Sequence, residues 1–183
     1  LLASKLGAIN IVNPTSKIKK VTVGDAIRHL PVIEDGEKNI TDPMHKSRKL
    51  SSINKLRIKS TPQGGSWKDW SKELVLECHK KESGKSFGSV YGRMSWDDIA
   101  PTMTTQCTGY GNGRFGHPEQ NRAISLREAA IFQSFPDNYK FYKNNENFKP
   151  TRIEKQIGNA VPVKIGQIIA KSIKKHLKEY ATK

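Results

Sequence analysis

The last part of the chain alternates between apolar and basic positions with the spacing of an α-helix. This pattern predicts a long amphipathic helix that begins at Val161 or Pro162 and ends near Tyr180. A proline near the first turn suits a helix start, and lysines in the last turns suit the helix dipole. The apolar face would carry Val163, Ile165, Ile168, Ile169, Ile173 and Leu177, and the opposite face Lys171, Lys174, Lys175 and Lys178.

Two shorter helices are predicted from signals at their amino-terminal ends. Ser125 and Glu128 have the spacing of a capping box, which predicts a helix from Ser125 to Phe135. Thr22 is a suitable N-cap for a helix that runs to Leu30. In both segments the apolar residues that follow the cap repeat with helical spacing, which favours amphipathic helices that pack on a core.

The rest of the pattern is less regular. Val90 to Thr105 is rich in β-branched and aromatic residues and is expected to be extended. The apolar opening, Leu1 to Gly7, lacks a polar lead-in, so we expect a piece of a longer protein that begins inside or just after a strand. The remaining assignments are a weak helix over 50–58, a helix or strand over 71–79, loops over 34–46, 61–67, 80–88 and 109–118, a linker over 144–150 and a turn over 156–162.

Composition narrows the class of protein. The 183 residues include 32 Lys and Arg against 17 Asp and Glu, which gives a net charge of +15 and favours a polyanionic partner. Residues 1–60 and 121–183 carry the whole excess, whereas residues 61–120 are neutral, so the charge is not confined to a basic tail. Two cysteines exclude a disulfide scaffold, and no apolar run could span a membrane. We expect a cytoplasmic protein.

Three groups of residues are candidates for chemistry. The extended segment offers Arg93 and several threonines, which are typical donors to phosphate oxygens, although threonines equally suit a β-hairpin. The turn at Gly158-Asn159 could bind a small ligand through its amides, or it could be a tight turn that needs a positive φ. The glycines at 109–113 are not followed by a helix start, so they do not indicate a dinucleotide site. The cysteines and histidines lack the spacing of a metal site.

Several segments, in this order, resemble the carboxy-terminal part of cytosine-specific DNA methyltransferases that methylate carbon 5. Arg122 to Ala130, continuing into Phe135-Pro136-Asp137, resembles the ninth motif of that family, and Gln156 to Pro162 resembles the tenth. Leu1 to Gly7 is similar to the end of the eighth motif. The segments 91–94, 101–105 and 113–120 resemble the end of the target-recognition region. The resemblance covers nearly the whole chain and is strongest from Val90 onward.

The resemblance implies an α+β fold. A small mixed target-recognition domain would be joined to the carboxy-terminal helix of a Rossmann-like S-adenosylmethionine domain that is otherwise absent. Its divisions would be residues 1–9 as the end of a catalytic-domain strand, 10–120 as the recognition region, 121–150 as the ninth-motif helix and linker, and 151–183 as the tenth-motif turn and last helix. Without the large domain, the apolar face of the last helix would be exposed and could cause self-association.

The resemblance also implies functional residues. By position, Arg93, Thr102, Thr104, Thr105 and Arg114 would contact duplex DNA, and Asn159, Ala160 and Val161 would contact S-adenosylmethionine. Neither cysteine follows a proline, so the nucleophilic Pro-Cys-Gln motif of the family is absent and no catalytic residue is assigned. The implied role is the DNA-recognising part of a bacterial restriction–modification methyltransferase that is inactive by itself and needs its amino-terminal half. The family usually has a second arginine where this chain has Ile131, which puts in doubt an ion pair between the ninth-motif helix and the recognition region.

Two other interpretations remain open. A stand-alone DNA-binding module would explain the charge but has no use for a cofactor turn. A basic RNA-binding protein of the ribosomal type would explain the charge but not the ordered motifs.

Overall fold

The computed structural model describes residues 2–13, 20–143 and 148–181. In this part of the chain the α-helices are α1 Val23–Ile27, α2 Ser52–Lys59, α3 Glu77–Lys80, α4 Glu82–Lys85, α5 Leu126–Phe132, α6 Pro150–Asn159 and α7 Val163–Ala181. Single 3-10 turns at Trp67–Asp69 and Tyr110–Asn112 interrupt the loops. The predicted long carboxy-terminal helix is confirmed as α7.

The capping signals place α1 and α5 correctly. The Ser125 hydroxyl accepts the Glu128 amide at 3.2 Å, and the Glu128 carboxylate accepts the Ser125 amide at 2.7 Å. Thr22 and Asp25 form the same reciprocal pair at α1. Helix α5 ends at Phe132, before the predicted Phe135, because Ser134 adopts a positive φ of 56° and turns the chain.

Helix α6 is a correction to the sequence-based prediction. The linker over 144–150 and the turn over 156–162 leave no room for a helix, yet Pro150–Asn159 is helical. Proline at the first position suits a helix start, and Ile153 and Ile157 provide an apolar face that the core buries. Residues 144–147 of the predicted linker lie outside the described residues.

The predicted extended segment forms no strand. In residues 2–13, 20–143 and 148–181 the only β-pairings are isolated bridges, two of which involve Gly116, with Arg93 and with Ala123. The pairing does not continue beyond Met94, because the Trp96 amide donates to the Gln63 side chain and not to a neighbouring strand. Residues 2–9 likewise form no strand, and 82–85, predicted as loop, form the single-turn α4.

Two hydrophobic clusters form the core. The first joins α1, α5 and α6 and includes Met103 and Phe115 from the intervening loops. The second is aromatic and is built around Trp67, Trp70 and Tyr110. The first cluster therefore draws residues from both the predicted recognition region and the helices that follow it, and it fixes α6 against the loops near residue 104.

Helix α7 packs mainly against the start of the chain. The buried Ser172 hydroxyl accepts the Val12 amide at 2.9 Å, and the buried His176 ring lies 2.8 Å from the Ser4 hydroxyl. Half of its predicted apolar face is open, since Ile165, Ile173 and Leu177 are 49%, 37% and 52% exposed, whereas Val163, Ile168 and Ile169 are partly buried. Among the helices described, none is long and apolar enough to cross a bilayer.

Candidate functional site

An open groove of about 530 Å³ brings together three of the residues predicted to contact DNA. Thr102 and Thr104 are exposed, whereas Met103 between them is 4% exposed and anchors the segment in the first core cluster. Arg114 is half-buried on the opposite side, where its side chain lies against Gly92. The polar lining also includes Ser89, Ser95, Asp98 and Asn112. Threonine hydroxyls and an arginine side chain therefore line one open groove.

Arg93 lies elsewhere. Its side chain is 7% exposed, and its guanidinium donates to the Ile58 carbonyl and the Asn121 side chain, both at 2.7 Å, and to the Glu119 carbonyl at 3.2 Å. Burial lowers the pKa of Arg93. In this position Arg93 joins its own segment to α2 and to the loop at 119–121, and it does not line the groove. Thr105 is half-exposed and adjoins Thr104 without lining the groove.

Buried polar contacts attach residues 102–108, the threonine segment, to α6. The Glu154 carboxylate is 1% exposed and accepts the Thr108 amide at 2.8 Å and the Thr108 hydroxyl. Its other oxygen accepts Arg48 at 2.7 Å. A buried carboxylate needs such partners, so Glu154 is a fixed attachment point for the loop.

One turn further along α6, Gly158 touches the same loop. A Cβ at position 158 would lie 2.2 Å from the Thr104 carbonyl carbon and oxygen and 2.4 Å from the Thr105 amide nitrogen. Only glycine allows this approach of helix and loop. Its φ is not positive, so the expectation of a left-handed Gly-Asn turn is wrong, and close packing is the reason for the glycine.

The predicted cofactor residues follow directly. Asn159 is the last residue of α6, Ala160 is the C-cap, and Val161 is 60% exposed in the connection to α7. Asn159 also lines a second open groove of about 550 Å³ along α6, with Lys149, Arg152 and Lys155. An exposed amide next to an exposed apolar side chain suits a ligand with both polar and apolar parts, such as a nucleoside. The Gly158 contact therefore places this connection next to the threonine segment.

Gln133 also belongs to this site, although in the sequence it is only one position of the predicted helix from Ser125 to Phe135. Its side-chain amide is buried and donates to the Ile157 carbonyl at 2.8 Å and the Ala160 carbonyl at 3.1 Å. The last carbonyls of a helix need donors from outside its regular hydrogen bonds, and a neighbouring glutamine can supply one. This role of Gln133 can be recognised only once the end of α6 is known.

Arg122 and Glu128 form a buried ion pair at the start of α5. Arg122 binds the Glu128 carboxylate through two nitrogens, at 2.8 and 2.7 Å. Burial would raise the pKa of Glu128, but the hydrogen bonds and charge of Arg122 outweigh it and lower that pKa to about 2. Burial lowers the pKa of His117 to about 3 although Glu128 is 3.8 Å away, so the histidine is neutral and this contact is not an ion pair.

Helix α5 makes its ion pairs with residues outside the helix. Arg127 and Glu128 do not pair with each other, because Arg127 reaches Asp42 in the loop region, at 2.5 Å from its Nε. Ile131, where an ion pair was in doubt, is half-buried and packs on the first core cluster. An ionic connection between α5 and the predicted recognition region is therefore present, and Arg127 makes it.

The cysteines do not form a reactive site in this structure. Cys107 is fully buried, and burial raises the pKa of its thiol to about 12, which disfavours the thiolate. Cys78 is exposed. In the part of the chain that the structure describes, no three His, Cys, Asp or Glu side chains come together as a metal site.

Comparison with known proteins gives a consistent result. A family model described as C-5 cytosine-specific DNA methylase matches residues 4–175. The type II methylase M.HgiDII of Herpetosiphon aurantiacus is 54% identical over 97% of this chain and 50% of its own length. DNA (cytosine-5)-methyltransferase 3 of Arabidopsis thaliana is 32% identical over 87% of this chain and 13% of its own length. The type II methyltransferase M.PspPI of Psychrobacter is 31% identical over 87% of this chain and 36% of its length. The chain thus spans at most half the length of these relatives.

Proposed function

The chain belongs to the C-5 cytosine-specific DNA methylase family, and from this premise we propose that it is the DNA-recognising, carboxy-terminal part of a DNA (cytosine-5-)-methyltransferase. The complete enzyme would transfer a methyl group from S-adenosylmethionine to carbon 5 of cytosine in duplex DNA. Support comes from the half-length match to M.HgiDII and from the order of the motifs along the chain. The type II relatives favour a bacterial restriction–modification role in the cytoplasm.

The groove lined by Thr102, Thr104 and Arg114 is the proposed DNA-binding surface. Thr102, Thr104 and Arg114 would donate hydrogen bonds to the phosphates or groove edges around the target base. A cytosine ring carbon is inaccessible within the base stack, so the base must leave the duplex and the flanking strand must be held in place. Arg93 would act indirectly, because its buried hydrogen bonds fix the segment that continues into Met94 and Ser95 of the groove lining, and Thr105 would hold the groove segment against Gly158.

The connection between α6 and α7 is the proposed binding site for S-adenosylmethionine. Asn159, Ala160 and Val161 would hold one edge of S-adenosylmethionine, which supplies the methyl group. Asn159 and Val161 are accessible for this role.

The catalytic cysteine would belong to an amino-terminal half that is not part of these 183 residues. We therefore expect this chain to be inactive alone. The exposed apolar side chains of α7, such as Ile165 and Leu177, are the proposed contact with that half. In its absence they would favour self-association.

The observation that carries the proposal is the contact between Gly158 and the peptide joining Thr104 and Thr105. It makes one unit of the segment proposed to hold DNA and the helix that ends at the proposed cofactor residues. A stand-alone DNA-binding module would not require this connection.

A chimera tests the proposal. Residues 1–183 would be joined to the amino-terminal half of M.HgiDII, whose 54% identity over this region favours a compatible interface. We expect the chimera to transfer labelled methyl groups to DNA and the 183-residue chain alone to transfer none. Arg114→Ala in the chimera should weaken DNA binding with little change in cofactor binding. An inactive chimera, together with sequence-specific DNA binding by the chain alone, would favour the stand-alone module.

A further inference from the structure

Gln133 connects three helices at one point. It follows α5, and its side-chain amide donates to the carbonyls of Ile157 and Ala160 at the end of α6. The Ile157 carbonyl also accepts the Ala160 amide at 3.2 Å, whereas the Ala160 carbonyl lies at the C-cap, beyond the reach of the regular hydrogen bonds of α6. At 6% exposure, water does not readily replace the glutamine.

The backbone around Gln133 holds the other side of the connection. The Gln133 carbonyl accepts the amide of Val163, the first residue of α7, at 3.2 Å. The next residue, Ser134, accepts the Lys164 amide through its hydroxyl at 3.2 Å. Residues 133–134 therefore hold both ends of the connection: Ile157 and Ala160 before it, and Val163 and Lys164 after it.

From this geometry we propose that Gln133 is a positioning residue for S-adenosylmethionine: it holds the Asn159–Val161 connection in its binding shape without touching the cofactor. This inference rests on the proposed function, because the ligand of the connection is assigned there. The role is specific to the cofactor side, since the threonine segment is held separately by Glu154 and Gly158.

Two substitutions remove the donor in different ways. Gln133→Met keeps the size and flexibility of the side chain but removes the hydrogen bonds to both carbonyls, of which only that of Ile157 retains the Ala160 amide as a donor. Gln133→Glu keeps the shape and places a negative charge against the same carbonyls. Losing such buried hydrogen bonds should raise the KM for S-adenosylmethionine by roughly tenfold, and Glu should have a larger effect than Met.

The test is steady-state kinetics of the M.HgiDII chimera. The proposal expects a higher KM for the cofactor, with kcat at saturating cofactor and the KM for DNA each within about twofold of the unsubstituted chimera. Gln167→Glu, which places the same change on the exposed lysine side of α7, is the matched control and should alter none of these values. An unchanged cofactor KM, or equal losses in all three parameters, would overturn the positioning role.

A second measurement separates this inference from the proposed function. If the unsubstituted chimera is inactive, the proposed function fails, and amide exchange in the 183-residue chain still decides the positioning role. Gln133→Met should then speed exchange at the Val163 amide relative to the Gln167→Glu control while leaving the α1 amides unchanged. Unaltered exchange at Val163 would reject the positioning role.

Discussion

Helices α6 and α7 are both amphipathic and adjoin each other in the chain, yet they differ in what covers their apolar faces. In α6, Ile153 and Ile157 are 2% and 0% exposed and lie in the first core cluster. In α7, Ile165 and Leu177 are about half exposed. An apolar stripe thus predicts a helix in both cases but does not say whether the covering surface lies within the same chain.

The difference has an energetic meaning. Burying an isoleucine side chain contributes about 1.5–3 kcal/mol, so the stability of this chain should depend on α6 much more than on the open face of α7. The predictions below test this contrast.

Gly158→Ala should have the largest effect. Its new methyl group would overlap the Thr104 backbone, which cannot rotate away, so we expect a loss of about 3 kcal/mol in the free energy of unfolding. Urea denaturation measures this loss. Gly166→Ala in α7 is the control, because among the described residues nothing outside the adjoining backbone of α7 lies within 4 Å of the added methyl group. There alanine should stabilise the helix by up to about 1 kcal/mol. Equal effects at the two glycines would remove the contrast between the helices.

Burial of His117 in the folded chain should also make the free energy of unfolding depend on pH. Folding lowers the pKa of His117 to about 3, so the unfolded chain binds a proton below pH 6.5 that the folded chain does not bind. Stability should therefore fall by about 2 kcal/mol between pH 7 and pH 5. Two backbone amides, of Glu119 and Gln120, donate to His117 Nδ1, so protonation would also break these contacts.

Replacing His117 with Asn should remove most of that slope, as measured by urea midpoints at the two pH values. His29→Asn provides a comparison, since His29 is exposed and its loss should leave the slope unchanged. A slope that survives in the His117 variant would assign the effect to other groups.

A pair of conservative truncations compares the helices directly. Ile157→Val should cost about 1 kcal/mol, because the removed methyl group leaves a small cavity in the core. Ile165→Val on the open face should cost only a few tenths of that amount, because water already reaches the site. Thermal or urea unfolding can resolve the difference. A larger loss at Ile165 would show that its face is covered in solution.

The smallest expected effect on stability is that of Leu177→Ser. Leu177 is 52% exposed, so the free energy of unfolding should change by less than about 0.5 kcal/mol. Self-association, followed by sedimentation velocity, should nevertheless weaken, because the substitution removes apolar area from the open face. Lys171→Ser serves as the comparison, because Lys171 is exposed on the same helix and does not border the apolar patch around Leu177. A monomer at all concentrations before substitution would contradict the expected self-association.

The parts of the fold that were predictable rest on local signals. The N-cap Thr22 and the capping box of Ser125 and Glu128 placed the starts of α1 and α5, and the period of apolar residues placed α7. These signals work because the interactions that produce them lie within a few residues of one another.

The parts that were not predictable depend on distant contacts. Helix α6 has a glycine and an asparagine near its end, which locally indicate a turn, but the core burial of Ile157 and the cap from Gln133 stabilise the helix. The β-formers of Val90 to Thr105 find no neighbouring strand and bond loops instead. The same limit applies to the site. An arginine in a sequence can equally bind a phosphate or, as Arg93 does, buried carbonyl and amide oxygens of the protein itself.

The fit of Gly158 against the Thr104–Thr105 peptide has a consequence for protein engineering. A recognition loop transplanted from a related enzyme would bring its own backbone path at this point, and a mismatch of even one methyl group would separate it from the helix beneath. Grafts that carry the loop together with residues 150–159 should therefore be tolerated better than grafts that exchange the loop alone.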